Sequence, residues 1–567
     1  MTQAYFADMV LKNGVIYTAD SADTVCRAIA VRDGKIVAVG SEDQIAENIG
    51  DRTELIDLQG KMVIPGMIDS HIHPPGIALS ELYEVQLFGI NTIEGYQQAV
   101  KSFISRNPDT KVLYGQGWLW SAFTGLEASK GPRKEHLDEV ATDIPVILRA
   151  MDGHSWWINS KAFEISGITC ETESPEGGSI EKDDGTGELW GTVKETAIPL
   201  VRQPSYTLEQ TVQGMKAFQR RMHSYGITGI LSIMGRSNQL MLTAWDDLRK
   251  RDELALNVRC AITVNPQEDV PSQLAAIDQW RKEYHSPYFQ ITTAKFFADG
   301  VVEGGTSYLL EPYAPEAGKA AGYCGSLLWE WDRLKDAFCL TNEYGLQIHV
   351  HSTGDAATRE VLDAFEAAQS KVGSANMRNA ITHLQLVHPD DIPRFKSLNV
   401  IASVQPYWHL KGPNWWQNVD YRIIGERAKQ EYPLRSFVDQ GVVIASSSDY
   451  SITPVPYPMY AIDTGVTRNL YSGRNFGVED ITDMDDDRYL LNKKERVSVA
   501  DMLKSFTSNG AYALCMDRQT GSLAVGKQAD LVVLDQDLFA INPIDIDKVK
   551  VTMTFFAGKL VYSSDMK

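Results

Sequence analysis

Eight short apolar runs punctuate the middle of this chain, and candidate helices separate most of them. The first begins at Val63 and ends in His71-Ile72-His73. The others cover residues 226–232, 258–264, 293–298, 346–351, 380–386, 400–405 and 442–447. Helical patterning at 208–224, 331–344 and 355–371 lies between them. A strand buried on both faces reads as a continuous apolar run, and strands alternating with helices build parallel sheets. Eight such units predict an α/β fold, a closed (β/α)8 barrel. The runner-up is an open doubly wound sheet, but no glycine-rich phosphate loop follows any of the runs.

Both ends of the chain are written differently. Residues 10–18 hold an Asn13-Gly14 hairpin signal and residues 28–39 an Asp33-Gly34 signal. Near the other end, residues 529–535 read as a strand and 549–562 as a hairpin turning near Gly558-Lys559. Isolated hairpins are marginal, so both termini are expected to meet in one small β domain. We place that domain at 1–64 and 517–567 and the barrel at 65–516. Residues 85–205 are too many for one β/α unit and are rich in Gly, Trp and Asp. They are expected to form an insertion after the first barrel strand that shields the barrel mouth.

A net charge of -20 excludes nucleic acid and anionic membrane as natural partners. No apolar stretch is long enough to span a bilayer. Six scattered cysteines, with no Cys-x-x-Cys pair, do not form a disulfide framework. No basic segment followed by an apolar run marks a signal peptide. The expected compartment is the cytoplasm, with a small molecule as partner; a homodimer is left open.

Barrel active sites sit at the C-terminal ends of the strands. His71 and His73 share one strand face and aim two imidazoles at one point, a geometry that suits zinc and similar ions. The fourth run carries Lys295 and leads to Asp299-Gly300, the fifth carries His349 and His351, the sixth His383, and the eighth leads to Asp449. Histidines supply neutral nitrogen ligands, a carboxylate offsets metal charge, and a metal makes hydroxide available near neutral pH. Lys295 has two readings. A buried ammonium beside a cation is costly, but a lysine carbamylated by carbon dioxide is an anionic ligand able to bridge two metals. Its alternative is a lysine paired with Asp299 or Asp449. His383 could equally be a core histidine and Asp449 a helix cap. His349 and His351 face the same way, so one ligand between them suffices.

With these residues in place, the chain resembles the amidohydrolase superfamily, in particular the amidohydrolase-3 branch that includes N-substituted formamide deformylases. The resemblance is carried by Pro65-Gly66-Met67-Ile68-Asp69-Ser70-His71-Ile72-His73 and by Asp152-Gly153-His154-Ser155-Trp156-Trp157-Ile158-Asn159. Lys295-Phe-Phe-Ala-Asp299-Gly300, His351-Ser-Thr-Gly354-Asp355, Ser403-Val404-Gln405-Pro406 and the stretch from Gly521 to Asp530 add to it. It implies a barrel with a β-sandwich built from both termini. His71, His73, Lys295, His351, His383 and Asp449 would be ligands to two divalent ions, with zinc expected, bridged by carbamylated Lys295. Asp449 would also be the general base for metal-activated hydroxide attacking a non-peptide carbon–nitrogen bond of a small N-substituted amide or formamide. The chain departs from the branch where Ser-Leu-Gly-Ser-Arg-Thr is usual and Val301-Val302-Glu303-Gly304-Gly305-Thr306 stands instead. The sixth and eighth strands also differ, at Asn379-Ala380-Ile381-Thr382 and at Ser447-Ser448.

His154, in the insertion motif, is expected to polarise the substrate carbonyl or else to hold the insertion together. Trp118, Trp120, Trp156, Trp157, Tyr407, Trp408, Trp415 and Trp416 are dense near the expected mouth, and aromatics of this kind serve a core or an apolar pocket. Two other functions compete with amide hydrolysis. One is deamination or ring opening of a heterocycle; the other is a non-catalytic barrel scaffold, which the full set of candidate ligands disfavours.

Overall fold

A computed structural model of the protein describes residues 6–373 and 376–565. The chain divides into two units, one running to Pro74 and resuming at Phe218, the other Pro75–Ala217.

The first unit contains an eight-stranded sheet in sequential order, every neighbouring pair parallel. Its strands are β1 (Met67–Ile72), β2 (Ile227–Met234), β3 (Asn257–Thr263), β4 (Phe289–Phe297), β5 (Gln347–Ser352), β6 (Ala380–His383), β7 (Ile401–Val404) and β8 (Ile444–Ser446). Sequential order without a switch point distinguishes a barrel from a doubly wound sheet. β1 and β8 close the circle without a full ladder. The Ser70 hydroxyl donates to the carbonyls of Ala445 and Ser446 at 3.3 and 3.0 Å. The Asp449 N–H donates to the His71 carbonyl, and the His73 N–H to that of Tyr450, both at 2.9 Å.

The first apolar run divides where a single strand is expected. Met62–Pro65 belongs to a sheet of the termini, between Val15–Tyr17 and Leu531–Leu534, and β1 starts at Met67. Gly66 is the joint. Its N–H donates to the Asp530 carbonyl at 2.8 Å, and a Cβ there would meet Thr228 Oγ1 at 2.1 Å. Only glycine lets the chain pass from one sheet to the other this close to β2.

The terminal segments form a four-stranded and a six-stranded sheet. Leu11, Ile16, Ile29, Val63, Leu531, Val533 and Phe555 share one core, so residues from both ends of the sequence pack together. Asp33-Gly34 does turn a hairpin, with both residues left-handed at φ 50° and 73°. Asn13-Gly14 does not: Met9–Lys12 pairs with Ala28–Arg32 and Glu54–Asp57, whereas Val15–Tyr17 joins the other sheet. The local turn signal is real, but burial of each strand in a different sheet decides its partner. At the far hairpin the left-handed pair is Ala557-Gly558, one position earlier than expected.

The second unit is built on a six-stranded sheet of its own. Trp118 and Trp157 are buried in one of its cores and Trp156 in another, so these three serve packing. Among the described residues all six cysteines are free, and no helix is long and apolar enough to cross a membrane.

Candidate metal centre

Every candidate from the barrel strands arrives at one place. His71, at the end of β1, and His73 just beyond it present their nitrogens with a carboxylate oxygen of Asp449, all within 4.8 Å of one another. Ring centroids of His71 lie 5.3 Å from His73 and 5.2 Å from His383, and those of His351 and His383 lie 4.4 Å apart. His71, Lys295, His351, His383 and Asp449 are all buried, whereas the His73 side chain is 42% exposed.

Hydrogen bonds fix which nitrogen is free on the rings of His351 and His383. His351 Nε2 lies 2.8 Å from the Gly300 carbonyl, which can only accept, so a neutral ring keeps its lone pair on Nδ1. His383 Nδ1 lies 3.0 Å from Gln405 Oε1. The Gln405 amide donates to Thr382 Oγ1 and Ser447 Oγ at 3.1 and 2.7 Å, which leaves its oxygen to accept from His383. The His383 lone pair is therefore on Nε2. His71 Nδ1 lies 2.8 Å from Nε2 of His349. The two β5 histidines are thus separated: His351 sits at the strand end, and His349, one pleat deeper, holds the ring of His71. Partners of this kind orient metal-ligating imidazoles.

Burial and then the charge of Lys295 hold His71, His349 and His351 well below the usual histidine range, His351 at about 3. Burial and then His351 do the same for His383. Neutral rings are the ligating form. Burial also pushes Lys295 down to about 7, against the attraction of Asp449.

Two buried atoms in this cluster have no hydrogen-bond partner, Lys295 Nζ and Asp449 Oδ1. Asp449 Oδ1 faces Nε2 of His73 at 3.1 Å and of His71 at 3.5 Å, so two imidazole nitrogens converge on a carboxylate. Asp299 is not the partner of Lys295. It accepts from the backbone N–H groups of Tyr308, Thr353 and Gly354 at 3.0, 3.1 and 2.9 Å and so fixes the loop after β5. Unpaired buried polar atoms are costly, and a cation beside Asp449 Oδ1 would relieve that carboxylate. The donor set, imidazole with carboxylate, fits a divalent transition ion.

The backbone is bent to present these groups. His383 and Asp449 are themselves left-handed, at φ 80° and 54°. A non-glycine residue in this region costs about 1–3 kcal/mol and persists where function over-determines it. Asp69, wholly buried, ties the ends of β1 and β8 together by accepting from the N–H groups of His71 and Ser448 at 3.2 and 3.1 Å.

The cluster opens into a cavity of about 630 Å³ with Phe297, Tyr407, Trp408 and Trp415 in its lining. The Trp408 ring stacks on His383 at 5.9 Å. Trp416 is buried in a neighbouring core. His154 and Trp120 belong to the other unit. There the His154 side chain is 68% exposed and pairs with Glu195 at 3.0 Å, and Trp120 Nε1 donates to Asp152 at 3.0 Å. The cavity lining also includes Glu303 and Asp420, which the sequence reading did not single out for a role. They stand over a hundred residues apart, Glu303 in a turn and Asp420 at the start of a short helix, and no local pattern joins them.

The model of the amidohydrolase family matches residues 54–562. The chain is 27% identical over 564 residues to Protein LONG AFTER FAR-RED 3 of Arabidopsis thaliana, covering 98% of this chain and 92% of that protein. It is 24% identical over 583 residues to N-substituted formamide deformylase of Arthrobacter pascens, covering 99% of each. Among solved structures, a metal-dependent hydrolase from Pyrococcus furiosus superposes with a TM-score of 0.72 at 25% identity, over 94% of this chain and 99% of that one.

Proposed function

The chain belongs to the amidohydrolase family and is a hydrolase of carbon–nitrogen bonds, and from that premise we propose that it cleaves a small, non-peptide N-substituted amide in the cavity at the barrel strand ends. The observation that carries this reading is a pair of buried atoms without a hydrogen-bond partner, Lys295 Nζ and Asp449 Oδ1, set among imidazoles. His71, His73, His351, His383 and Asp449 would hold divalent ions, with zinc the expected element. Lys295 would join them after its amine takes up carbon dioxide and releases a proton, becoming an anionic carbamate able to bridge two ions. A buried amine with no hydrogen-bond partner, held toward its neutral form, suits that reaction.

When bound, a divalent ion supplies a Lewis acid that makes water a competent nucleophile near neutral pH and polarises a carbonyl. Asp449 is the residue placed to move the proton. Its carboxylate takes a proton from the attacking water and delivers it to the leaving nitrogen. Water adds to the carbonyl carbon, the carbon–nitrogen bond breaks, and the products are a carboxylic acid and an amine. Gln405 and His349 keep the His383 and His71 rings in the required tautomers. Phe297, Tyr407, Trp408 and Trp415 give the substrate's organic group an apolar, water-poor wall. The likeness to N-substituted formamide deformylase supports trying formamides first. His154 has no step in this scheme.

The test is metal content per chain by elemental analysis, on protein produced with zinc and bicarbonate, followed by a screen of N-formyl and N-acyl amines. About two ions per chain with amine release supports the reading. One ion makes Lys295 an ordinary lysine. None, with none regained on adding zinc, defeats the proposal.

A further inference from the structure

The cavity that holds the candidate metal ligands has a second polar region that the scheme above leaves idle. Glu303 lies in the loop after β4, and Asp420 opens the short helix Asp420–Ile424 beyond β7. Both segments follow C-terminal strand ends, the rim on which barrel enzymes assemble their sites. Both side chains line the cavity.

No cationic side chain among the described residues pairs with either of them. Asp420 is only 6% exposed, and its Oδ1 has no hydrogen-bond partner. Glu303 is reached by solvent, and among the described residues neither carboxylate forms an ion pair. No arginine lines the cavity, and its one lysine is Lys295. The nearby buried Glu431 is satisfied by the Gln385 amide at 2.7 Å and the Trp416 indole at 3.0 Å. The buried guanidinium of Arg468 is spent on the carbonyls of Leu491, Tyr432 and Glu431. Burial, and then the charge of Glu303, push Asp420 up to about 7, as expected of two carboxylates close enough to repel.

The walls around the pair are aromatic. Trp415, Tyr432 and Trp408 line the same cavity, and Trp415 is 51% exposed to it and to solvent. Carboxylates beside aromatic faces are the chemistry that recognises organic cations. The ring faces attract the charge and accept its alkyl groups, while the carboxylates neutralise it.

We infer that the amide taken by this site carries a cationic group, an ammonium or amidinium, seated between Glu303 and Asp420 against the aromatic wall. The inference rests on the amide-hydrolase reading for the reaction itself, but the cation subsite stands or falls separately. An unpaired buried carboxylate is disfavoured, so a substrate that brings its own positive charge gains binding that a neutral one of the same shape does not. A proton shared between the two carboxylates is the rival occupant.

The test uses the metal-loaded full chain and choline as probe, with its uncharged carbon isostere 3,3-dimethylbutan-1-ol as control, titrated by calorimetry or tryptophan fluorescence. Choline is expected to bind at least about tenfold more tightly than the isostere. Asp420→Asn and the solvent-accessible Glu303→Gln are each expected to bring choline down toward the isostere and to leave the isostere unchanged. Should Asp420→Asn fail to fold, Glu303→Gln decides. Equal affinity for the two probes, or choline binding untouched by Glu303→Gln, overturns the inference, and so does a pair of carboxylates that takes calcium and ignores choline. Hydrolysis is then compared for N-formyl-1,4-diaminobutane and N-formylpentylamine. Faster turnover of the charged amide supports the subsite, and equal turnover overturns it while leaving amide hydrolysis intact. Selective choline binding with neither amide cleaved leaves the subsite standing and removes the amide reading.

Discussion

His349 offers a sharp test of the centre because it hydrogen-bonds a ligand candidate, His71, and does not line the open cavity. Its Nε2 lies 2.8 Å from His71 Nδ1 and is the acceptor when His71 gives Nε2 to a metal; both residues are almost wholly buried, at 2% and 1% exposure. His349→Phe keeps a ring of similar shape and removes the acceptor. In the metal-loaded protein His71 is then pinned with an unsatisfied N–H, a penalty of about 1–3 kcal/mol. The metal-free ring can turn to find another partner, so the penalty falls on metal binding. At about 1.4 kcal/mol per factor of ten, zinc affinity should weaken by roughly 5- to 150-fold. Losses of about 10- to 100-fold on removing outer partners of metal ligands agree with this. The assay is competition for zinc against a chelator of known affinity, with thermal melting of the metal-free protein as a separate readout. His349→Gln, which retains an acceptor oxygen, should recover much of the affinity. If His349→Phe binds zinc within about twofold of the parent and only melts lower, His349 is packing and the argument fails.

Asp449→Asn should keep the fold and lower turnover by about a hundredfold or more, read as amine release beside an unchanged circular dichroism spectrum; near-normal turnover would remove Asp449 as the proton carrier. Lys295→Met should lower the number of ions per chain, and an undiminished count excludes the lysine as a ligand. Gly66→Ala drives a Cβ to within 2.1 Å of Thr228 Oγ1, and a loss of about 1–3 kcal/mol in unfolding experiments is expected. His223, on the helix Leu208–Ser224, is buried against the Ala255 carbonyl at 2.8 Å, and burial pushes it down to about 4. Its folded value lies below the unfolded one of about 6.5, so the unfolded chain binds the proton first and stability falls as pH drops from about 6.5 to 4. The shift is worth about 3 kcal/mol, and His223→Gln should flatten that part of the pH profile.

The barrel was legible because each of its strands is buried on both faces and so reads as an apolar run that needs no knowledge of its partner. The histidine pair on β1, the lysine on β4 and the single histidine on β6 were legible for a related reason: strand ends place side chains predictably. What a strand pattern does not carry is depth. His349 and His351 share a face two residues apart, and only the neighbouring strands make one a ligand candidate and the other its support. The Asn13-Gly14 turn failed as a hairpin signal for the same reason, since the partners of Met9–Lys12 and Val15–Tyr17 are chosen by separate sheets. The split at Gly66 was hidden inside one unbroken apolar run. Asp420 left no trace and Glu303 showed only as part of a departure from the branch pattern, because two carboxylates distant in sequence acquire meaning only when the barrel brings them to one cavity.

The left-handed backbone at His383 and Asp449 sets the molecule's interests against each other. Glycine or asparagine would rest more easily at either position. A population of variants screened only for survival of heating should therefore drift toward those residues and lose turnover as it gains heat resistance. Directed evolution of this scaffold for robustness would need a catalytic readout in every round, or the most stable winners would be inert.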